Sequence, residues 1–428
     1  SCVPATPLDE SGANLDYRAI DSFYDHPRVQ GLAEMMNFVG IINGDSQVVE
    51  KIVASQAHHK KIDGHAPGLT GNDLNAYIAA GVYSDHECSN VEEAMAKLER
   101  GQFIMIREGT AARNLEALAP LLCEKYIERC MFCTDDKHPN DLLEKGHIDY
   151  IVKKAISLGA DPIMAVKAAG YTAARYFLLN NRGAIAPGYL ADFVVIDNWE
   201  NFEIEMVYKK GKLMYDGVLR DFDTPEIDPY LVKRAHDTFH VAPLSAADFT
   251  DKRPHAVIGM VPGEIVSEDA GYADHIDLEQ DILKIAVIER HKNTHHIGLG
   301  YIKGYGLRHG AVATSISHDS HNIIVVGTSE ADMAAAANRV VELGGGIVVW
   351  DGGAVQAEVP LSIAGIMSEE PLVTVNEKLE TAKEKAFALG VGRGIDPFMT
   401  LSFMALPVIP SLRITTRGVF DVTSQSYV

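Results

Sequence analysis

Four residues able to hold a cation or move a proton, Glu34, His65, His86 and Asp135, each close a short apolar run in the first third of the sequence. The runs are 29–34, 61–65, 82–85 with His86 next in line, and 130–135. The intervals between the four are 31, 21 and 49 residues, or about one, one and two strand–helix units. Residues that end parallel barrel strands face one shared mouth, where barrel enzymes place their chemistry. Two imidazoles and two carboxylates converging there would make a divalent-metal hydrolase site. Each residue alone has an ordinary explanation: a hydrogen-bonded buried histidine, a Thr-Asp helix cap after a strand, or a first-turn helix acid. The common phase of all four argues for a site.

The elements that must position them alternate. Strands are expected at 29–34, 61–65, 82–85, 103–107 and 129–134, with a first one at 1–4. Between and after them, helices are expected at 46–58, 70–80, 90–100, 110–123, 147–158 and 161–179. The helix at 46–58 offers Val48, Val49, Ile52 and Val53 as an apolar face, and that at 70–80 offers Leu74, Tyr77 and Ile78. The helix at 90–100 opens with an Asn90/Glu93 capping-box arrangement and stops at Gly101. Strands alternating with helices imply a parallel sheet with right-handed crossovers. A closed barrel needs eight strands, so two units are expected to be missing before Ser1.

From residue 183 the pattern changes. Turn chemistry at Gly183-Ala-Ile-Ala-Pro-Gly188 leads to strands at 191–196, 202–208 and 210–215. Beyond a polar stretch at 220–229, strands at 255–260, 282–289, 311–317 and 323–327 and helices at 329–343 and 373–389 predict an α+β domain. The expected division is 1–180 for a partial barrel, 181–222 for part of a small β-sandwich, and 223–428 for the α+β domain. Gly304-Tyr-Gly306 and Gly344-Gly-Gly346 lack the Lys and strand–loop–helix context of a phosphate loop and read as turns.

Across 428 residues, 59 acidic against 38 basic side chains give a net charge of −21. That balance argues against nucleic acid, whose phosphates require basic patches, and against anionic membranes. No apolar run approaches the length of a membrane span. The five cysteines, three of them at Cys123, Cys130 and Cys133, do not form a disulfide framework; reduced thiols and a cytoplasmic location are expected.

These motifs resemble the amidohydrolase superfamily. The segment Gly183-Ala-Ile-Ala-Pro-Gly-Tyr-Leu-Ala-Asp192-Phe-Val-Val, followed by Lys210-Gly-Lys, is similar to the return from barrel to β-sandwich in those enzymes. Within the superfamily the chain resembles the adenine deaminase family, through Ser1-Cys-Val-Pro-Ala-Thr6, Leu32-Ala-Glu34-Met-Met-Asn37, Asp63-Gly-His65-Ala-Pro67 and Ser84-Asp-His86-Glu87. Cys133-Thr-Asp135-Asp136-Lys-His138-Pro139 and His318-Asp-Ser-His321-Asn-Ile-Ile-Val-Val-Gly327 extend the likeness. It implies an α/β fold, a (β/α)8-type barrel of which strands three to eight are present here, with a small β-sandwich portion and a C-terminal α+β domain.

The resemblance further implies metal ligands at Glu34 (a carboxylate bridging two metals), His65, His86 and Asp135, with Asp135 catalytic. Glu87, Asp136, His138, His318, Asp319 and His321 are candidates for substrate contacts, the last three as a lid. The implied cofactor is a divalent metal, binuclear Mn or Fe with Zn as an alternative. The implied reaction is hydrolytic deamination of adenine to hypoxanthine and ammonia by metal-activated hydroxide, in purine salvage. A homo-oligomer is implied as well. The family's His-x-His on the first strand occurs nowhere in the chain, consistent with an absent N-terminal segment that would complete the barrel. Other readings are a different amidohydrolase such as a cyclic amidase, or a catalytically incomplete purine-binding fragment.

Overall fold

The computed structural model describes residues 6, 9–110, 112–220, 226–261 and 265–428. The strand expected at 1–4 lies outside the described residues. The chain forms two compact units: one runs Asp16–Glu226, and the other joins Ile227–Val428 with the N-terminal segment ending at Leu15.

The first unit is α/β. Its strands β1 (Gly31–Met35), β2 (Lys61–Gly64), β3 (Ser84–Asp85), β4 (Phe103–Arg107) and β5 (Cys130–Cys133) fall where the apolar runs predict them. β1 pairs with β2 and β4 with both β3 and β5, all parallel. The Tyr83 amide, 2.9 Å from the Ile62 carbonyl, links β2 to the chain entering β3. The strands therefore lie in chain order, as short right-handed crossovers require. Ile104, Ile106 and Phe132 pack beneath Leu115, Leu118, Ile151, Val152 and Ala155 in one core cluster.

Several helices depart from the sequence pattern. Ser46–Ala57 buries Val48 and Ile52, one turn apart, but leaves Val49 and Val53 exposed. Val91–Leu98 is capped by the Asn90 side chain, which accepts from the Glu93 amide at 2.9 Å. The reciprocal half of the capping box is absent, because the Glu93 carboxylate serves the Gly68 and Ser89 amides instead. The helix expected at 110–123 shrinks to Leu115–Leu118 and a 3-10 turn at Ala119–Leu121. Pro120 lacks the amide hydrogen that would continue the α-ladder, and Asn114 gives its side chain to β4 and the loop after β3. The helical run at 161–179 is Pro162–Val166 and Thr172–Tyr176 joined by a π-turn at Lys167–Tyr171. The meander is β6 (Phe193–Ile196), β7 (Ile204–Lys209) and β8 (Lys212–Tyr215), antiparallel throughout. Cys88, Cys123, Cys130 and Cys133 are free, and burial pushes the Cys130 and Cys133 thiols up to about 12.

The second unit is built on an eight-stranded sheet. In chain order its strands are β9 (His255–Met260), β10 (Ser267–Ala273), β11 (Ile282–Ile288), β12 (Ile297–Lys303), β13 (Ala311–Thr314), β14 (Ile323–Gly327), β15 (Gly346–Asp351) and β16 (Ala354–Pro360). Their spatial order is β10-β9-β12-β11-β14-β13-β15-β16. Helix Glu330–Glu342 covers one face through Met333, Ala336, Ala337 and Val340; helix Leu372–Ala388 covers the other through Leu379, Ala382 and Ala386. A hairpin of β17 (Leu412–Thr415) and β18 (Gly418–Asp421), with β19 (Ser426–Tyr427), completes the unit. Among the described residues no helix is long and apolar enough to cross a membrane.

β12 escapes the sequence pattern because Gly298 and Gly300 dilute its apolar signature. The packing demands Gly298: a Cβ there would lie 1.9 Å from the Thr415 carbonyl oxygen and 2.5 Å from the Gly418 nitrogen. Both obstacles are backbone and cannot swing aside. Gly298→Ala should therefore destabilise the protein by about 1–3 kcal/mol, the usual cost of overpacking, seen as a lowered urea midpoint with unchanged slope. An unchanged midpoint would show that the hairpin can retreat freely.

Candidate active site

Glu34 stands in β1 and the connections leaving β2, β3 and β5 carry His65, His86 and Asp135, and the structure brings all four together. Ligand atoms of Glu34, His65 and His86 lie within 4.8 Å of one another, as do those of His86, Glu87 and Asp135. His86 Nε2 is 2.9 Å from Glu34 Oε2, 3.2 Å from Glu87 Oε1 and 3.9 Å from Asp135 Oδ2. His65 Nδ1 lies 3.5 Å from Glu34 and 3.2 Å from Glu87. Glu87 thus stands among the imidazoles, 3.2 Å from each.

A buried ion network sets the two histidine loops. Lys97 Nζ, fully buried, donates to Asp85 Oδ2 at 2.9 Å, Glu93 Oε1 at 2.8 Å and the Ala66 carbonyl at 2.8 Å. Asp85 in turn accepts from the Ala66 and Glu87 amides. The residue after His65 and the residue after His86 are therefore fastened to one carboxylate. Asp85, Cys88 and Glu93 also meet the spacing of a cation site, but the ammonium of Lys97 already donates to both carboxylates. From the other side, the Tyr77 hydroxyl accepts from the His65 amide at 2.9 Å and donates to the Met35 carbonyl at 2.8 Å, joining β1 and β2.

Arg107 joins the remaining pair. Its guanidinium donates to both Glu87 oxygens and to Asp135 Oδ2. Asp135 adopts φ +56°, a left-handed conformation that Asp tolerates, and its Oδ1 accepts from the Asp136 amide. Arg107 and Lys97 were not among the sequence candidates. Arg107 closes its strand in the same phase as His65 and His86, a signal that a search for acids and imidazoles passes over.

The remaining candidates lie on two connections, Asp136 and His138 after β5 and the others after β13. The Asp136 carbonyl accepts from the Thr110 amide, and His138 caps helix Pro139–Glu144 while its amide donates to Thr110 Oγ1. His318, Asp319 and His321 belong to the second unit, on the connection from β13 to β14. There His318 Nδ1 pairs with Asp319 Oδ1 at 2.9 Å and its ring stacks on Phe403 at 5.1 Å.

The charges show what the cluster suits. Burial opposes protonation of His65, yet the charge of Glu87 and the proximity of Glu34 push its pKa up to about 9. Burial likewise works against the imidazolium of His86, and Glu34 and Glu87 lift it well above the usual range. Burial would raise Glu87, but the two histidines and Arg107 hold it well below the carboxylate range. Neither His65 ring nitrogen makes a hydrogen bond, although both are buried. Two imidazoles facing three carboxylates, with both His65 ring nitrogens left unbonded, form a donor set that fits a divalent cation.

Parallel strands delivering imidazoles and carboxylates to one end define a site of the amidohydrolase kind, and residues 2–214 match the amidohydrolase family. Residues 264–426 match the adenine deaminase C-terminal domain. The adenine deaminase of Desulfatibacillum aliphaticivorans is 46% identical over 440 residues, covering 100% of this chain and 76% of that protein. That of Kosmotoga olearia is 46% identical over 446 residues with the same coverage, and that of Dehalococcoides mccartyi 44% over 434, covering 99% and 75%. The chain belongs to the adenine deaminase family.

Two outcomes follow from the charges. Lys97→Met should cost about 3–5 kcal/mol, because it strands two buried carboxylates; denaturant titration measures it, and a loss below about 1 kcal/mol would mean that water reaches the network. His65, raised above its ordinary 6.5, adds stability to the metal-free protein that is complete below about pH 6.5. That stability is lost as pH rises through about 9. A cation must displace the same proton, so Mn(II) affinity measured by dialysis should climb over that window, with protons released. A flat profile would remove His65 from the ligand set.

Proposed function

We propose that this protein deaminates adenine hydrolytically, releasing hypoxanthine and ammonia, with Glu34, His65, His86 and Asp135 holding a divalent cation and Asp135 also moving the protons. The convergence of these residues with Glu87, in a chain of this family, carries the reading. Mn or Fe suits the carboxylate-rich set, with Zn the alternative. When bound, such a cation lowers the pKa of a water from about 15.7 to roughly 7, supplying a nucleophile at neutral pH.

The chain's own residues do the rest. Asp135, held by Arg107 and the Asp136 amide, accepts a proton from the attacking water and returns it to the ring nitrogen or the departing amine. Glu87, tied to Arg107, keeps both imidazoles turned inward. Purine contacts by Glu87, Asp136, His138, His318, Asp319 and His321 belong to the same reading, and their support is the family motifs in which they stand. A partial (β/α)8-type barrel over 1–180, a β-sandwich portion over 181–222, a C-terminal α+β domain over 223–428, homo-oligomeric assembly and a cytoplasmic place in purine salvage complete it.

The protein loaded with Mn(II) or Fe(II) should release ammonia from adenine and far less from adenosine; equal rates on both, or none on adenine, would overturn the assignment. Asp135→Asn should lower turnover by about 10²–10⁴-fold, the range of a general acid–base step, at full metal content and with an unchanged melt. Glu34→Gln should first weaken metal loading, so excess metal restores part of the rate. Wild-type turnover in Asp135→Asn would take that residue out of the mechanism.

A further inference from the structure

Within the second unit, the N-terminal segment from Asp9 lies against the turn between β13 and β14. Asn322 Nδ2 donates to the Glu10 carbonyl at 2.8 Å, and a Cβ on Gly12 would stand 2.8 Å from His291 Nδ1. His291 Nε2 in turn donates to the Ser320 carbonyl at 2.7 Å. Asp9 is 6% exposed in this contact. Its Oδ1 accepts from the Glu10 amide at 2.8 Å, while its Oδ2 is buried without a hydrogen bond. Asp319 repeats the pattern: Oδ1 meets His318 Nδ1 at 2.9 Å, and Oδ2 is buried and unbonded. The charge of Asp319 reaches Asp9, and so do Glu10 and the Ser320 hydroxyl. Among the described residues no cation is paired with Asp9. His296 and Thr416 serve Glu10, His318 serves Asp319, and Arg290 turns its guanidinium to the carbonyls of Thr238, His321 and Ala364. Burial and the charge of Arg290 hold His291 down to about 4, so it stays neutral. Tyr427 on β19, raised by burial and within reach of Asp9, Glu10 and Arg417, is neutral too. Burial pushes Asp9 up to about 7, with the charge of Asp319 adding to it and the Glu10 amide working against it.

We propose that Asp9 and Asp319 hold one proton between them and that this proton fixes the turn carrying His318, Asp319 and His321. Asp9 is then a positioning residue for the adenine contacts of that turn, a role that rests on the deaminase reading. With the proton present, the two unbonded oxygens are joined by one charge-assisted O–H···O bond, and the pair carries a single negative charge. Once the proton leaves, two buried carboxylates face each other with no cation between them, and segment and turn part. Seated, Asp9 keeps its proton up to about pH 7; released, only up to its ordinary 3.8. The contact is therefore complete below about pH 4 and weakens about tenfold per pH unit up to about 7, roughly a thousandfold in all.

Hydrogen exchange of the full chain without adenine reads the contact over residues 9–15 and 317–322, expressed as protection factors so that the intrinsic pH dependence divides out. In wild type, protection should fall about a hundredfold between about pH 5 and 7. Asp9→Asn keeps the shape and offers Asp319 an amide hydrogen at every pH, so its profile should be flat. Asp319→Asn should be flat as well, its amide donating to the Asp9 carboxylate. At saturating Mn(II) and about pH 8, KM for adenine in wild type should exceed that of Asp9→Asn at least about tenfold, as when one molecule in ten or fewer holds the turn. The two KM values should converge towards about pH 5, the difference lying in KM rather than kcat. A flat wild-type profile would overturn the proposal, as would Asp9→Asn falling in parallel with wild type or an equal KM at the higher pH. Should Asp9→Asn lack a cooperative melt, Asp319→Asn decides by exchange; failure of both to fold would make the pair architectural and also overturn it. Because exchange is read without substrate, a wild-type chain that releases no ammonia defeats the deaminase reading, and the exchange profiles alone then decide whether the pair shares a proton.

Discussion

The ammonium of Lys97 is the interaction on which the geometry of the site depends. It lies fully buried between Asp85 and Glu93, and each of those carboxylates reaches out to backbone amides on two loops. Asp85 takes the Ala66 and Glu87 amides and Glu93 takes those of Gly68 and Ser89. Ions are costly to bury, and here the cost is offset because every charge is paired and most remaining lone pairs accept a backbone hydrogen. The outcome is a rigid platform. The loops that follow β2 and β3 cannot shift independently, so the imidazoles of His65 and His86 keep their mutual placement whether or not anything sits between them.

A second layer of charge lies above this platform and is unbalanced. Three carboxylates face two histidines and one arginine, and the histidines meet the deficit only by holding protons that their burial disfavours. An arrangement of this kind has stored affinity for a cation. The separation of tasks is clear in the partners: Lys97 serves architecture, and Arg107 serves the carboxylates nearest the chemistry.

Much of this was legible in the sequence, for identifiable reasons. The strands that carry Glu34, His65, His86 and Asp135 are apolar runs buried by helices, so their phase is written in hydrophobicity. What the pattern could not reveal depends on contacts distant in sequence. Lys97 follows Glu93 by one helical turn, the mark of an ordinary surface pair, and only tertiary packing buries it. Glu93 carries the signature of a capping box but is diverted to the loop after His65. In the second unit, β12 was hidden by Gly298 and Gly300, which are there because the β17–β18 hairpin presses against them. The edge strand β10 was hidden by its exposed polar residues.

The short segment near the N-terminus belongs to the second unit, where the Glu10 carboxylate meets Thr416 Oγ1 and His296 Nδ1 and its carbonyl accepts from Asn322. The contact with Thr416 spans 406 positions of sequence. During synthesis the chain from Asp16 onward can therefore begin to fold while the second unit still waits for its last strands. The residues of this segment leave the ribosome long before their partners do, and ring closure of this length adds little entropy beyond that of a loop half as long. The delay is set by translation, not by the polymer.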